Sequence, residues 1–218
     1  MTRLALRLAF AVSFSVASAL PVRGFQHTAV ASAQSTAQRQ FSREEREKLA
    51  KEELVVRRIA QRRGPFNLVG GNSWQVIAAP PEMVWRALLD TYYYRRTLPA
   101  VLEANLVKDT GNQRVVFLRQ GSRFIQITDY LRLSIRADRK EMDFCIDERL
   151  PHSIKAGWDF FAVRTYGKAK TVLAYGVMVD VGDNLVAELM RGTTREWMLK
   201  VPSLVKRFVE GRGRWLYR

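Results

Sequence analysis

The stretch VIAAPPEMVWRALLDTYYYRRTLP, residues 76–99, decides how the rest of the chain is read. Pro80 and Pro81 remove two backbone donors and push the residue before them out of helical space, so a strand ends here. Proline is tolerated in the first turn of a helix, so Pro81 can also open one. Met83, Val84, Ala87 and Leu88 recur at helical spacing, and Trp85 and Leu89 widen the apolar face. Tyr92, Tyr93 and Tyr94 follow, and Leu98-Pro99 closes the unit. A short aromatic helix pinned between two turns is expected to pack across a sheet.

Downstream, the pattern is one of successive strands. Ala100–Lys108 and Gln113–Arg119 flank a turn at Asp109-Thr110-Gly111-Asn112. Phe124–Ile135 alternates cleanly: Ile125, Ile127, Leu131, Leu133 and Ile135 share one face, and Gln126, Thr128, Arg132 and Ser134 the other. Glu141–Asp147, Ser153–Thr165 and Thr171–Val181 complete the set, with Trp74–Ala78 as its first member. A long helix is then expected over Leu185–Val209, with Pro202 kinking or breaking it. The expected fold is α+β: a curved antiparallel sheet of about seven strands wrapped around the C-terminal helix, the only element large enough to cover it.

Upstream, residues 1–33 carry Arg3 and Arg7 and then an uncharged apolar run, Leu8–Leu20, too short for a comfortable membrane span. This is a signal-peptide pattern with an uncleaved anchor as the alternative, and it implies a secreted or periplasmic protein. Residues 34–70 are read as a charged helical extension. Its helix is expected over Ser42–Arg63, with Ser42 and Glu45 forming a capping box and Gly64-Pro65 the stop. Residues 71–211 form the folded domain, and 212–218 a loosely held basic tail.

The 218 residues include 36 Lys and Arg against 21 Asp and Glu, a formal charge of +15. That favours an anionic partner such as an acidic membrane surface, while export argues against nucleic acid. The single cysteine, Cys145, forbids an internal disulfide, and two histidines, His27 and His152, argue against a histidine metal cluster.

The order of elements resembles the START-like superfamily, also called SRPBCC or helix-grip. The residues that carry the resemblance are Ala79-Pro80-Pro81-Glu82-Met83-Val84-Trp85 with Leu88, Leu89 and Asp90, then Tyr93-Tyr94 and Leu98-Pro99-Ala100-Val101-Leu102-Glu103. Val201-Pro202-Ser203-Leu204 in the final helix is similar to the coenzyme Q-binding and polyketide-cyclase-like branch. The resemblance covers about Trp74 to Glu210. It implies a hydrophobic ligand, lipid-like, held between sheet and helix, and some members are enzymes.

No catalytic set, phosphate-binding glycine loop or metal-ligand spacing is visible, and no cofactor is expected. Binding or transport is therefore expected ahead of catalysis. A cyclase or aromatase-type enzyme, or an interaction protein using the charged helix, are the alternatives. Asp129 stands out because it shares the apolar face of Ile127 and Leu131, where a carboxylate must be paired or protonated. It is either a polar anchor in a ligand cavity, a residue turned outward by a bulge, or a partner of Arg119 or Arg164. The expected cavity places Trp158, Phe160 and Met178 of the sheet opposite Leu189, Trp197 and Val201 of the helix, with Asp129 inside and Tyr94 at the edge.

Overall fold

The computed structural model describes residues 41–121, 126–182 and 196–217. The signal segment, Ile125, Leu189 and the first half of the expected C-terminal helix lie outside the described residues.

Among the described residues, eight strands form one antiparallel sheet: β1 (Val55–Arg63), β2 (Phe66–Ile77), β3 (Val101–Asp109), β4 (Gln113–Gly121), β5 (Gln126–Arg136), β6 (Glu141–Ile146), β7 (Ala156–Tyr166) and β8 (Lys170–Asp180). Their order is β1-β2-β8-β7-β6-β5-β4-β3. From β3 to β8 each strand pairs with the next, while β2 pairs with β8 at the far side. The chain must therefore cross from one side of the sheet to the other between β2 and β3. It does so through the proline-pinned stretch: α1 precedes it at Arg43–Ala50, and α2 (Pro81–Leu89), a tight turn at Thr91–Tyr93 and α3 (Tyr94–Thr97) make the crossing. Pro81 sits in the first turn of α2, and Val84, Trp85, Ala87 and Leu88 are its buried face.

The charged segment is not a single helix over Ser42–Arg63. The capping box is present, with Glu45 N–H donating to Ser42 and Ser42 N–H to Glu45. The helix ends at Ala50, and Glu52 then takes a left-handed conformation at φ 56°. That conformation is uncommon outside glycine and stops helix propagation. Beyond it, β-branched Val55, Val56 and Ile59 enter β1, and Gly64, at φ 55°, turns the chain into β2. Val55 and Ile59, four apart, fit a helical stripe and a strand face alike, and pairing with β2 chose the strand. The sheet consequently starts at Val55, one strand earlier than the alternation from Trp74 implies. On the outer face, Arg57 lies over Phe41 and Trp74 at 5.6 and 5.0 Å and pairs with Glu45 at 2.7 Å.

The inner face is closed by α4 (Val201–Phe208). Residues 196–199 are helical, the chain turns at Lys200, and Pro202 lies in the first turn of α4, so the proline marks a break in the helical run. Val201, Val205 and Phe208 point into the core, each apolar side chain contributing about 1.5–3 kcal/mol on burial. Phe208 stacks on Tyr93 at 4.9 Å, which ties α4 to the crossing helices. The tail is not loose: Tyr217 is buried, its hydroxyl donates to Asp90 at 2.8 Å, and its carbonyl accepts from Arg86.

Glu52 joins three elements. It accepts from Lys170 of β8 and Lys206 of α4, each at 2.7 Å, and Lys206 also pairs with Glu210 at 2.7 Å. Lys170 and Lys206 hold the Glu52 carboxyl at about 2, and Arg57 does the same for Glu45, both down from 4.5. Depressed acids contribute stability that is present above their unfolded value and lost as pH falls through the folded one. Urea midpoints of the wild type should thus decline as pH drops from 4.5 to about 2. A Glu45→Gln/Glu52→Gln variant should start less stable at neutral pH and decline less steeply. An unchanged slope would show that these pairs do not carry the acid sensitivity.

Candidate functional site

Strand alternation decides which side chains reach the space under α4. Cross-strand partners share a face. Phe144, Asp159 and Val177 pair across β6, β7 and β8, as do Met142, Phe161 and Tyr175, and these project inward. Leu118 and Asp129 pair on the same inner face of β4 and β5. A cavity of about 130 Å³ lies over them. Leu118, Leu131, Ile146, Val177 and Val179 make its floor, Trp197, Met198 and Val201 its roof, and Leu98, Pro99 and Ala100 one wall.

Four of the expected site residues border this cavity: Asp129, Trp158, Trp197 and Val201. Trp158 does so from an unexpected phase. It pairs with Cys145 and Met178 and packs with Leu68 and Ala156 in an outer-face cluster. Met178 belongs to that cluster, and Phe160 lies over Gly176 on the same face, so neither lines the cavity. The expectation for Phe160 and Met178 is off by one residue, and in a strand a one-residue error moves the whole set to the other face. Both faces of β7 and β8 are apolar here, so hydrophobicity alone could not choose the phase. Tyr94 is buried and donates to the Leu88 carbonyl at 3.1 Å, holding α2 against α3 away from the cavity lining.

Asp129 is neither turned outward nor paired with an arginine. Arg119 bonds Glu103, and Arg164 bonds Glu141. Asp129 is 4% exposed and accepts from the backbone N–H groups of Ser153 and Ile154 at 2.8 and 3.3 Å. Burial raises its carboxyl above the ordinary value, and the two N–H groups oppose that rise. Asp129 therefore fixes the β6–β7 loop against β5 while bordering the cavity.

The strongest polar feature of the cavity is a residue that sequence reading passed over. Asp159 sits one position from Trp158 and Phe160, on the inward phase of β7. It is accessible only in part, and through the cavity it borders. Removal from bulk water pushes its carboxyl up to about 7, and the nearby Tyr175 hydroxyl acts to lower it. The Tyr175 hydroxyl is raised well above its ordinary value by burial and by the same carboxylate. The signal was there to be found: an Asp among Trp, Phe and Phe in a strand is as anomalous as Asp129. Gln120 of β4 is a further polar side chain in the lining. Cys145 borders the cavity too, but burial raises its thiol, which disfavours the reactive thiolate. Among the described residues, no group of three His, Cys, Asp or Glu side chains could hold a metal ion. His152 is exposed in a loop, its Nδ1 at 2.9 Å from the Ile154 carbonyl.

No family model matches the chain, and no curated protein does. Solved structures do. An aromatase/cyclase from Streptomyces sp. R1128 superposes with a TM-score of 0.58 at 15% identity, over 70% of this chain and 97% of that one. A STAR-related lipid transfer protein fragment from Xanthomonas axonopodis gives 0.55 at 12% identity, over 71% and 98%. A protein from Thermus thermophilus gives 0.57 at 14%, over 67% and 98%. At these identities the likeness establishes the fold, a helix-grip arrangement of sheet and C-terminal helix.

A raised acid stabilises at low pH and costs stability above its folded value. For Asp159 the native state holds a proton that the unfolded chain has released between 3.8 and about 7, so stability falls across that window. Asp159→Asn removes the charge that must be buried. It should equal the wild type below pH 3.8 and exceed it above pH 7, by at most about 4 kcal/mol. Urea titrations at the two ends measure this, and an equal difference at both ends would refute it.

Proposed function

We propose that this domain binds a hydrophobic, lipid-like small molecule in the cavity between the sheet and α4, and acts as a binding or transfer protein. The observation that carries the reading is the composition of the lining. Aliphatic and aromatic side chains dominate it, and Asp129, Asp159, Tyr175 and Gln120 are its few polar groups. Small-molecule sites have this character: apolar burial supplies affinity, and a few placed polar groups set orientation. The Asp159–Tyr175 pair lies where it can meet the polar end of a ligand. The solved lipid transfer protein that shares the fold supports the reading. Export from the cytoplasm, expected from residues 1–33, belongs to the same proposal, since it would place the protein beside envelope lipids.

A cyclase-type enzyme is the second reading. The observation in its favour is that a carboxyl poised near 7 beside a buried tyrosine could move a proton at physiological pH. The aromatase/cyclase that shares the fold supports it to the same degree. The charged segment offers less to a pure interaction role, because Arg43–Glu47, Lys48–Glu44 and Arg57–Glu45 are paired within the chain.

Native mass spectrometry of purified protein, followed by extraction and analysis of bound small molecules, tests the binding reading. An apolar compound should be retained. Val177→Phe places a ring in the space the ligand needs, and overfilling costs about 1–3 kcal/mol, so retention should fall roughly tenfold with the fold preserved. Protein purified without any bound apolar compound, and equal occupancy in both forms, would each count against binding. Loss of a supplied substrate with formation of a new product, abolished by Asp159→Asn, would favour the enzyme.

A further inference from the structure

Beside the cavity lies a second concave feature of opposite character. A surface cleft of about 510 Å³ runs between the crossing helices, β3 and the C-terminal segment. Arg95, Arg96 and Arg212 line it, together with Tyr92, Tyr93 and Glu103. All three arginines are exposed. Among the described residues, Glu103 is the only carboxylate in the lining, and it is already taken: Arg119 donates to one oxygen at 2.8 and 3.1 Å, and Asn105 to the other at 2.8 Å. Arg212 lies over the Tyr93 ring at 5.9 Å, which holds its guanidinium at the cleft. Arg95 also acts on Glu103 electrostatically, yet three arginines face one carboxylate that is already hydrogen-bonded, so the cleft keeps a net positive charge.

One exposed aromatic residue lies in the cleft lining, and a second lies outside it, three positions after Arg212 in the chain. Tyr92 is 79% exposed and Trp215 is 73% exposed. Trp215 follows Arg212 by three residues, in a segment pinned to this end of the molecule by the bond from Tyr217 to Asp90. Tyrosine and tryptophan prefer the polar–apolar boundary of a bilayer, and arginine binds phosphate through several donors. The corner Leu98–Ala100 walls the cavity, and Arg95, Arg96 and Leu102 wall the cleft on either side of that corner.

We propose that this cleft is the face on which the protein docks to an anionic bilayer, with Arg95, Arg96 and Arg212 taking headgroup phosphates and Tyr92 and Trp215 seated at the interface. Docking in this orientation sets the Leu98–Ala100 wall of the cavity close to the lipid surface. The docking itself does not depend on what the cavity holds.

The test is flotation of the full chain with vesicles of phosphatidylcholine alone and of phosphatidylcholine mixed with phosphatidylglycerol. The neutral vesicles report any contribution from the apolar run near the N-terminus. Binding should require the anionic lipid and weaken as salt is raised. Each arginine near an anionic surface is worth about 1 kcal/mol, so Arg95→Gln/Arg96→Gln should reduce partitioning roughly tenfold or more. The charge-matched control Arg62→Gln/Lys168→Gln alters exposed positions elsewhere and should change it by less than about threefold. Tyr92→Ala/Trp215→Ala should also weaken partitioning. Cavity ligand, measured by mass spectrometry on the same samples, should be unaffected in every variant, which separates failure of docking from failure of the cavity reading. Equal losses in cleft and control variants would overturn the proposal, as would equal binding to neutral vesicles. Capture of free glycerol phosphate without vesicle binding would overturn it too.

Discussion

An open antiparallel sheet with an apolar concave face is stable only while something covers that face. Here the cover is α4, and much of the described structure serves to hold it in place. Lys206 ties the helix to Glu52 and to the Val76 carbonyl, and Ser203 donates to Gln75 at 2.9 Å. Glu210 accepts from the Ala78 backbone at 2.7 Å, where β2 gives way to the proline pair. Phe208 rests on Tyr93 and against Tyr217. These contacts converge on the end of β2 and the start of the crossing. The helix is therefore anchored at one end of the sheet, and the cavity is what remains where the cover and the curved floor do not meet.

The cavity places carboxyl groups where a charge is unfavourable. A carboxylate removed from water must be paired, hydrogen-bonded or protonated. Asp129 and Asp159 take different routes. Asp129 directs its hydrogen-bonding capacity to two backbone N–H groups of the β6–β7 loop, so its role is bound up with the architecture. Asp159 lies near the Tyr175 hydroxyl, and burial pushes its carboxyl up to about 7. That difference explains why the second aspartate, and not the first, is the chemically informative one. The apolar cavity and the basic cleft are divided by a single corner of the chain, Leu98–Ala100.

Several elements were legible in the residues themselves. The prolines, the helical spacing of Val84, Ala87 and Leu88, and the aromatic run defined the crossing helices from residue order alone. Clean alternation defined β5, and turn residues separated β3 from β4. Other elements were ambiguous for stated physical reasons. Val55 and Ile59, four apart, satisfy both a helical and an alternating pattern, and only pairing of Val55 with Trp74 makes the strand. Trp158, Phe160 and Phe161 leave both faces of β7 apolar, so phase could not be read from hydrophobicity. The segment after Gly211 looks like a polar tail, and only Asp90 and Arg86, more than a hundred positions earlier, reveal it as held.

The chain's local chemistry by itself determined where strands end, where the crossing begins and that one helix must close an apolar sheet, because proline geometry and side-chain periodicity act within a few residues. Tertiary structure alone decided which face of β7 and β8 looks inward, that Asp159 meets Tyr175, and that Arg95, Arg96 and Arg212 share a cleft. Those outcomes depend on cross-strand register and on contacts between distant segments. A shift of one residue in register reverses a face while leaving every local pattern intact.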